Sequence, residues 1–186
     1  MLSERIKTAT KDGHQELEKQ VVYRIKAIEN NKDYVELLKY FFAYFETLEQ
    51  QIASFIPDAL QDYFSVRRSA KDIAKDIEVL GSSVADLPQA FLPAIENKNQ
   101  AIGALYVLEG SIMGGPFIVK MFEKVGIESG FNFFQGYGDQ SAEKWLEFTK
   151  IINQEVNQEA DIEEAIASAK NTFEQFANTF TNTINA

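Results

Sequence analysis

The chain has 186 residues, 45% of them hydrophobic and 25% charged, enough to bury one core and still leave a cleft for a ligand of drug size. It has no cysteine and a single histidine, His14, which excludes disulfide scaffolds, thiolate metal sites, cysteine nucleophiles and metal sites built on several histidines. Eighteen basic against twenty-eight acidic residues, a net charge of −10, argue against a sequence-independent grip on nucleic acid.

The hydrophobic pattern predicts an all-α chain, one domain over 1–186 with no strand. A first helix is expected over about 3–19 and a short second over 21–28, before Asn30 and Asn31 break the pattern. Asp33 and Glu36 have capping-box spacing and open a long helix that must stop before Pro57. Tyr34, Leu37, Leu38, Phe41, Phe42, Phe45, Leu48 and Ile52 give that helix a broad apolar face. Ser69 and Asp72 open another, with Gly81 at the left-handed position that ends helices. The stretch 87–93, with two prolines, reads as an irregular connection. Asn99 is expected to cap a long helix through Tyr106, Leu108 and Ile118 that ends near Gly126. The Gly- and aromatic-rich stretch 126–141 reads as an ordered loop, since linkers do not usually carry four aromatics. Helices over about 141–156 and 161–180 complete the chain. The N-terminus carries charges where a signal peptide needs an apolar run, and no run reaches about 18 apolar residues, so a cytoplasmic location without a membrane partner is expected.

Two stretches carry possible chemistry. On an unbroken helix Lys7, His14 and Glu18 share one face. A carboxylate one turn from a histidine can accept its Nδ1 proton and leave Nε2 to bind a metal; the alternative is a surface histidine in a helical ion pair. The second stretch, Tyr106-Val-Leu-Glu-Gly-Ser-Ile-Met-Gly-Gly-Pro116, puts three glycines within six residues of a helix. Each costs about 1 kcal/mol relative to alanine, so something must offset them. Either a flat ligand lies against Gly110 and Gly114, or the glycines serve close helix packing or a break into two helices.

The segments IKTATKDGHQELE and ALYVLEGSIMGGPFI resemble the proximal and distal helices of haem oxygenases, above all the bacterial, phytochrome-associated members. The resemblance spans most of the chain and implies a multi-helix bundle with haem sandwiched between those two helices. It implies that His14 is the axial, metal-binding residue, Glu18 its carboxylate partner and Lys7 a contact to a haem propionate. Gly110, Gly114 and Gly115 correspond to the distal glycines, Phe133 and Phe134 to aromatics near the pocket, Lys150 to a second propionate contact, and Phe173 and Phe180 to further pocket-wall aromatics. Ser111 stands where the animal enzymes carry an aspartate that holds the distal waters, and Leu105 and Phe45 stand where they carry tyrosines.

The implied activity is oxidative opening of haem, as both cofactor and substrate, to biliverdin, carbon monoxide and ferrous iron. Catalysis would rest on His14, Gly110, Ser111 and Gly114. Oxygen, an external electron donor (a ferredoxin, flavodoxin or reductase) and a phytochrome are the partners this implies, besides haem itself. The alternatives are a non-catalytic haem carrier or sensor and a haem-free helical interaction protein.

Overall fold

In the computed structural model, which describes residues 1–181, the chain is a helical bundle with no strand among those residues. Its helices are α1 (Leu2–Ala9), α2 (Lys11–Lys26), α3 (Asn31–Ala53), α4 (Asp58–Val66), α5 (Ala70–Val79), α6 (Lys98–Lys124), α7 (Asn132–Gln135), α8 (Ser141–Glu155) and α9 (Glu159–Thr181).

The first break falls at Thr10, not near Gln20. Leu17, Val21 and Ile25 are buried at four-residue steps, which carries α2 through the expected break. Thr10 is buried and its Oγ1 donates to the Ile6 carbonyl at 2.8 Å, a back-bond of the kind that bends helices. The seven-residue step from Lys7 to His14 therefore does not run along one continuous helix.

Caps were partly misplaced by sequence. Asn30 caps α3, accepting from Lys32 N and Asp33 N, while Asp33 accepts from Glu29 N instead of forming a capping box. Asn97, and not Asn99, caps α6 through Gln100 N. The Ser69–Asp72 spacing does open α5, with Asp72 Oδ2 accepting from Ser69 N at 3.1 Å, and Gly81 ends it with φ 77°. Helix α4 was not anticipated.

The central pair is α6 and α9, the most extensive helix contact in the fold. Gly103 makes it possible: a Cβ there would stand 2.2 Å from the Ala165 carbonyl oxygen. Helix α3 lies across α5, α6 and α9, and its aromatic face meets Phe122 of α6, Phe133 of α7 and Phe176 of α9. Phe41 and Phe45 contact Phe133 and Phe176 largely edge to face, and Tyr44 stacks on Phe176 at 4.2 Å.

Helix α6 is long and apolar enough to cross a bilayer, with mean hydropathy 1.5, but 61% of that stretch is buried inside the fold. Its apolar length is spent on α3, α7, α8 and α9. The 126–141 segment is ordered, as its aromatics suggested, and contains α7. Asp76 of α5 fixes it: the buried carboxylate accepts from Asn132 N, Asn132 Nδ2 and Phe133 N at 2.7–2.8 Å.

Candidate functional site

His14 stands on the first turns of α2 with 60% of its side chain exposed. Its Nδ1 lies 3.8 Å from Glu18 Oε2, within ion-pair range but too long for the direct hydrogen bond expected from the sequence. Its ring meets Phe173 of α9 edge to face, with centroids 5.8 Å apart and planes at 83°. Gly13 permits that approach, since a Cβ there would come within 3.2 Å of the Phe173 Cβ. A solvent-facing imidazole braced by an aromatic ring, with a carboxylate one turn on, can take a metal on its free nitrogen.

Helix α6 runs unbroken through its glycines and through Pro116. The glycines divide into two kinds. A Cβ at Gly115 would fall 1.8 Å from the Phe134 carbonyl oxygen, so this glycine serves helix packing against α7. Gly110 and Gly114 have nothing within 4 Å of where a Cβ would stand. Packing therefore does not explain them, whereas a flat group seated on that face would. Met113 and Phe117, each three residues beyond one of these glycines, are 53% and 62% exposed. Together they give the open face an apolar edge, at a free-energy cost in water unless something covers them. Sequence reasoning missed both, though their helical spacing from Gly110 and Gly114 was the available signal.

Helix α9 packs on both α2 and α6. The exposed histidine and the bare glycine face thus belong to helices joined through α9. An open glycine face and an accessible imidazole are each of a kind that a planar metalloporphyrin can use.

Behind the glycine face lies a buried polar cluster that the sequence did not reveal. Arg67 and Arg68, in the link between α4 and α5, are 6% and 4% exposed. Arg67 pairs with Glu109 of α6 at 2.5 Å and with Glu49 of α3 at 2.8 Å, and Tyr63 donates to Glu109 at 2.6 Å. Burial opposes the charge on Arg67, but Glu109 and Glu49 outweigh it and hold the guanidinium above its ordinary range. Arg68 has no carboxylate within ion-pair distance among the described residues; it donates to the Leu108 and Phe133 carbonyls and to Ser111 Oγ. Burial, with Arg67 adding to it, pushes Arg68 down to about 10 despite the pull of Glu109. A lone glutamate inside an otherwise apolar helix was the signal that cations must be folded in to meet it.

The remaining expected residues scatter. Lys7 and Lys150 are exposed on α1 and α8, helices that pack together, and neither has an ion pair among the described residues. Phe133 and Phe134 are fully buried in the aromatic core and face no opening. Phe180 is likewise buried, stacked on Tyr40 with Arg24 over its ring, whereas Phe173 touches His14.

Residues 1–182 match the family described as "Heme oxygenase". A heme oxygenase of Xanthomonas campestris pv. campestris (strain 8004) is 26% identical over 145 residues, 77% of this chain and 86% of that protein. Among solved structures, the NO- and CO-bound heme oxygenase of Neisseria meningitidis is similar with TM-score 0.78 at 21% identity, covering 98% of this chain and 92% of that one. Heme oxygenase-1 of the cyanobacterium Synechocystis sp. PCC6803, in complex with heme, gives TM-score 0.77 at 16% identity, covering 99% and 92%. At such identities the structural likeness establishes the shared fold, and the sequence match along the chain establishes the rest: the chain belongs to the haem oxygenase family.

Proposed function

We propose that this haem oxygenase would hold its substrate between α2 and α6, through the His14 imidazole on one side and the backbone at Gly110 and Gly114 on the other. The observation that carries the assignment is the pair of glycines with open space over them on the uncovered side of the central helix, since helix packing leaves them unexplained. Bound haem supplies the oxygen chemistry and is itself the molecule opened, to biliverdin, carbon monoxide and ferrous iron.

The chain's own residues hold and orient it. Phe173 limits rotation of the His14 ring, and Glu18, at 3.8 Å, needs only a small movement or a bridging water to take the Nδ1 proton and fix the tautomer. Met113 and Phe117 exclude water from the edge of the glycine face once they are covered. Lys7 and Lys150, the exposed cations on α1 and α8, are suited to the propionates and so to setting which edge of the macrocycle meets oxygen.

Electrons come from a separate ferredoxin, flavodoxin or reductase. Lys11 and Lys19 are exposed on α2, the helix that carries His14, in a chain of net charge −10, and favour an acidic donor on that side. Oxygen is the co-substrate, the cytoplasm is the location we assign, and the Glu109-Gly110-Ser111 run supports a phytochrome as the acceptor of the biliverdin.

The test is a hemin titration of the wild type and His14→Ala, followed by ascorbate or a ferredoxin system under air. Losing partners of a metal ligand alone costs about 10–100-fold in affinity, so His14→Ala is expected to weaken hemin binding by about 100-fold or more. The wild-type Soret band should decay into a biliverdin absorption. A band of equal strength in His14→Ala would overturn the assignment of the ligand, and a wild-type band that persists would mean a carrier.

A further inference from the structure

The glycine face is not backed by apolar packing alone. Ser111, half-buried beside Gly110, donates its hydroxyl proton to the Leu108 carbonyl at 2.7 Å and accepts from Arg68 Nη2 at 2.5 Å. A serine hydroxyl has one donor and two acceptor lone pairs, so both the proton and one lone pair are committed inside the fold. What remains is one lone pair, able to receive a hydrogen bond and unable to give one.

Arg68 reaches this point from the α4–α5 link and joins three segments. Its guanidinium donates to Leu108 O and Ser111 Oγ of α6 and to Phe133 O of α7, lies 3.9 Å from the Phe133 ring centroid, and its backbone N–H donates to the Tyr137 hydroxyl. The charged and titratable groups around it are Arg67, Glu109 of α6, Glu49 of α3 and Tyr137; the two glutamates are taken by Arg67, and Tyr63 is bonded to Glu109. Arg68 Nε has no partner among the described residues. The guanidinium bonded to α6 on either side of Gly110 is therefore the one in the cluster that no carboxylate pairs directly.

We propose that Arg68 is the positioning residue of the distal face: it holds Ser111 as a weakened acceptor and places a buried positive charge behind the Gly110–Gly114 segment. The proposal rests on the haem site described above. Two consequences have the same sign. A cation lowers the pKa of a water bound over that face, and a serine oxygen already accepting from a guanidinium is a poorer acceptor, so it stabilises that water less against loss of a proton. Arg68 thus sets how readily the distal side gives up or holds a proton, without touching the substrate.

The experiment is the spectrophotometric acid–alkaline titration of the ferric hemin complex of the full chain, read as the midpoint at which bound water becomes hydroxide. Arg68→Met is expected to raise the midpoint by about one pH unit, the size of a unit charge acting over about 12 Å at an effective dielectric of about 20. Ser111→Ala, which deletes the acceptor, is expected to lower it. Arg68→Lys keeps the charge and is expected to stay close to the wild type. Opposite shifts in the first two variants would not arise from loosened packing. Should Arg68→Met not fold, Ser111→Ala and Arg68→Lys decide: no shift in the former, or a full one-unit rise in the latter, overturns the proposal. An unmoved midpoint in Arg68→Met with hemin bound as in the wild type overturns it alone, whereas a wild type without a His14-dependent Soret band overturns the haem site and this proposal with it.

Discussion

Replacing Glu109 with alanine is expected to destabilise the apo-protein by about 3–5 kcal/mol, the usual result of breaking one side of a buried ion pair. Glu109 is fully buried on α6 and meets Arg67 and Tyr63, so the variant takes a charged partner from a buried guanidinium and an acceptor from a buried phenol. Glu49 stays bound to Arg67 at 2.8 Å and keeps the loss from being larger. Urea unfolding followed by far-UV circular dichroism reads the change as a shift of midpoint at constant slope. Tyr63→Phe, which removes one hydrogen bond to the same carboxylate, should cost only about 1–2 kcal/mol. Replacing Arg67 by Met together with Glu109 by Leu should cost less than the sum of the single changes, because neither charge is then left alone. Strictly additive losses would mean that Arg67 and Glu109 do not depend on each other.

The glycines of α6 give the second large effect, with opposite signs in one helix. Gly103→Ala and Gly115→Ala drive a Cβ to 2.2 and 1.8 Å from backbone oxygens of α9 and α7, which cannot yield as a side-chain tip can. A loss of about 3 kcal/mol or more, or failure to fold, is expected. Gly110→Ala and Gly114→Ala meet nothing within 4 Å, so each should stabilise the apo-protein by about 1 kcal/mol through helix propensity. The same two changes put a methyl group where the proposed haem face lies, and hemin affinity should fall by about tenfold, roughly 1.4 kcal/mol. Thermal unfolding of the apo-protein and hemin titration measure both quantities. A Gly114→Ala protein that is more stable and binds hemin as well as the wild type would remove the haem from that face.

What was legible in the sequence follows from local physics. Helical periodicity, the Ser69–Asp72 cap and the left-handed Gly81 are decided within a few residues, and each is found where the pattern placed it. The two unusual stretches, around His14 and around Gly110, were legible for the same reason: a lone histidine beside a carboxylate and a run of helix-weakening glycines break local rules without local compensation. Boundaries were less secure, because alternatives compete within a turn. Asn97 and Asn99 are both good caps, and the buried register of α2 overrode the break expected near Gln20.

What only the tertiary structure decided depends on residues far apart in sequence. Nothing local separates Gly115, pressed on α7, from Gly110 and Gly114, open to the outside; the position of Phe134 does. Arg67 and Arg68 read locally as a solvated basic pair, yet they are buried because Glu109, on a core helix, must have its charge met there. Ser111 by itself suggests a free hydroxyl, and it is the approach of Arg68 across 43 residues of chain that leaves it one lone pair. The chain's local chemistry determined an all-α, family-like frame and the helices that bear the proposed site. Packing decided which glycines are open and which charges lie behind them, since burial and close approach are properties of neighbours that no short stretch of sequence contains.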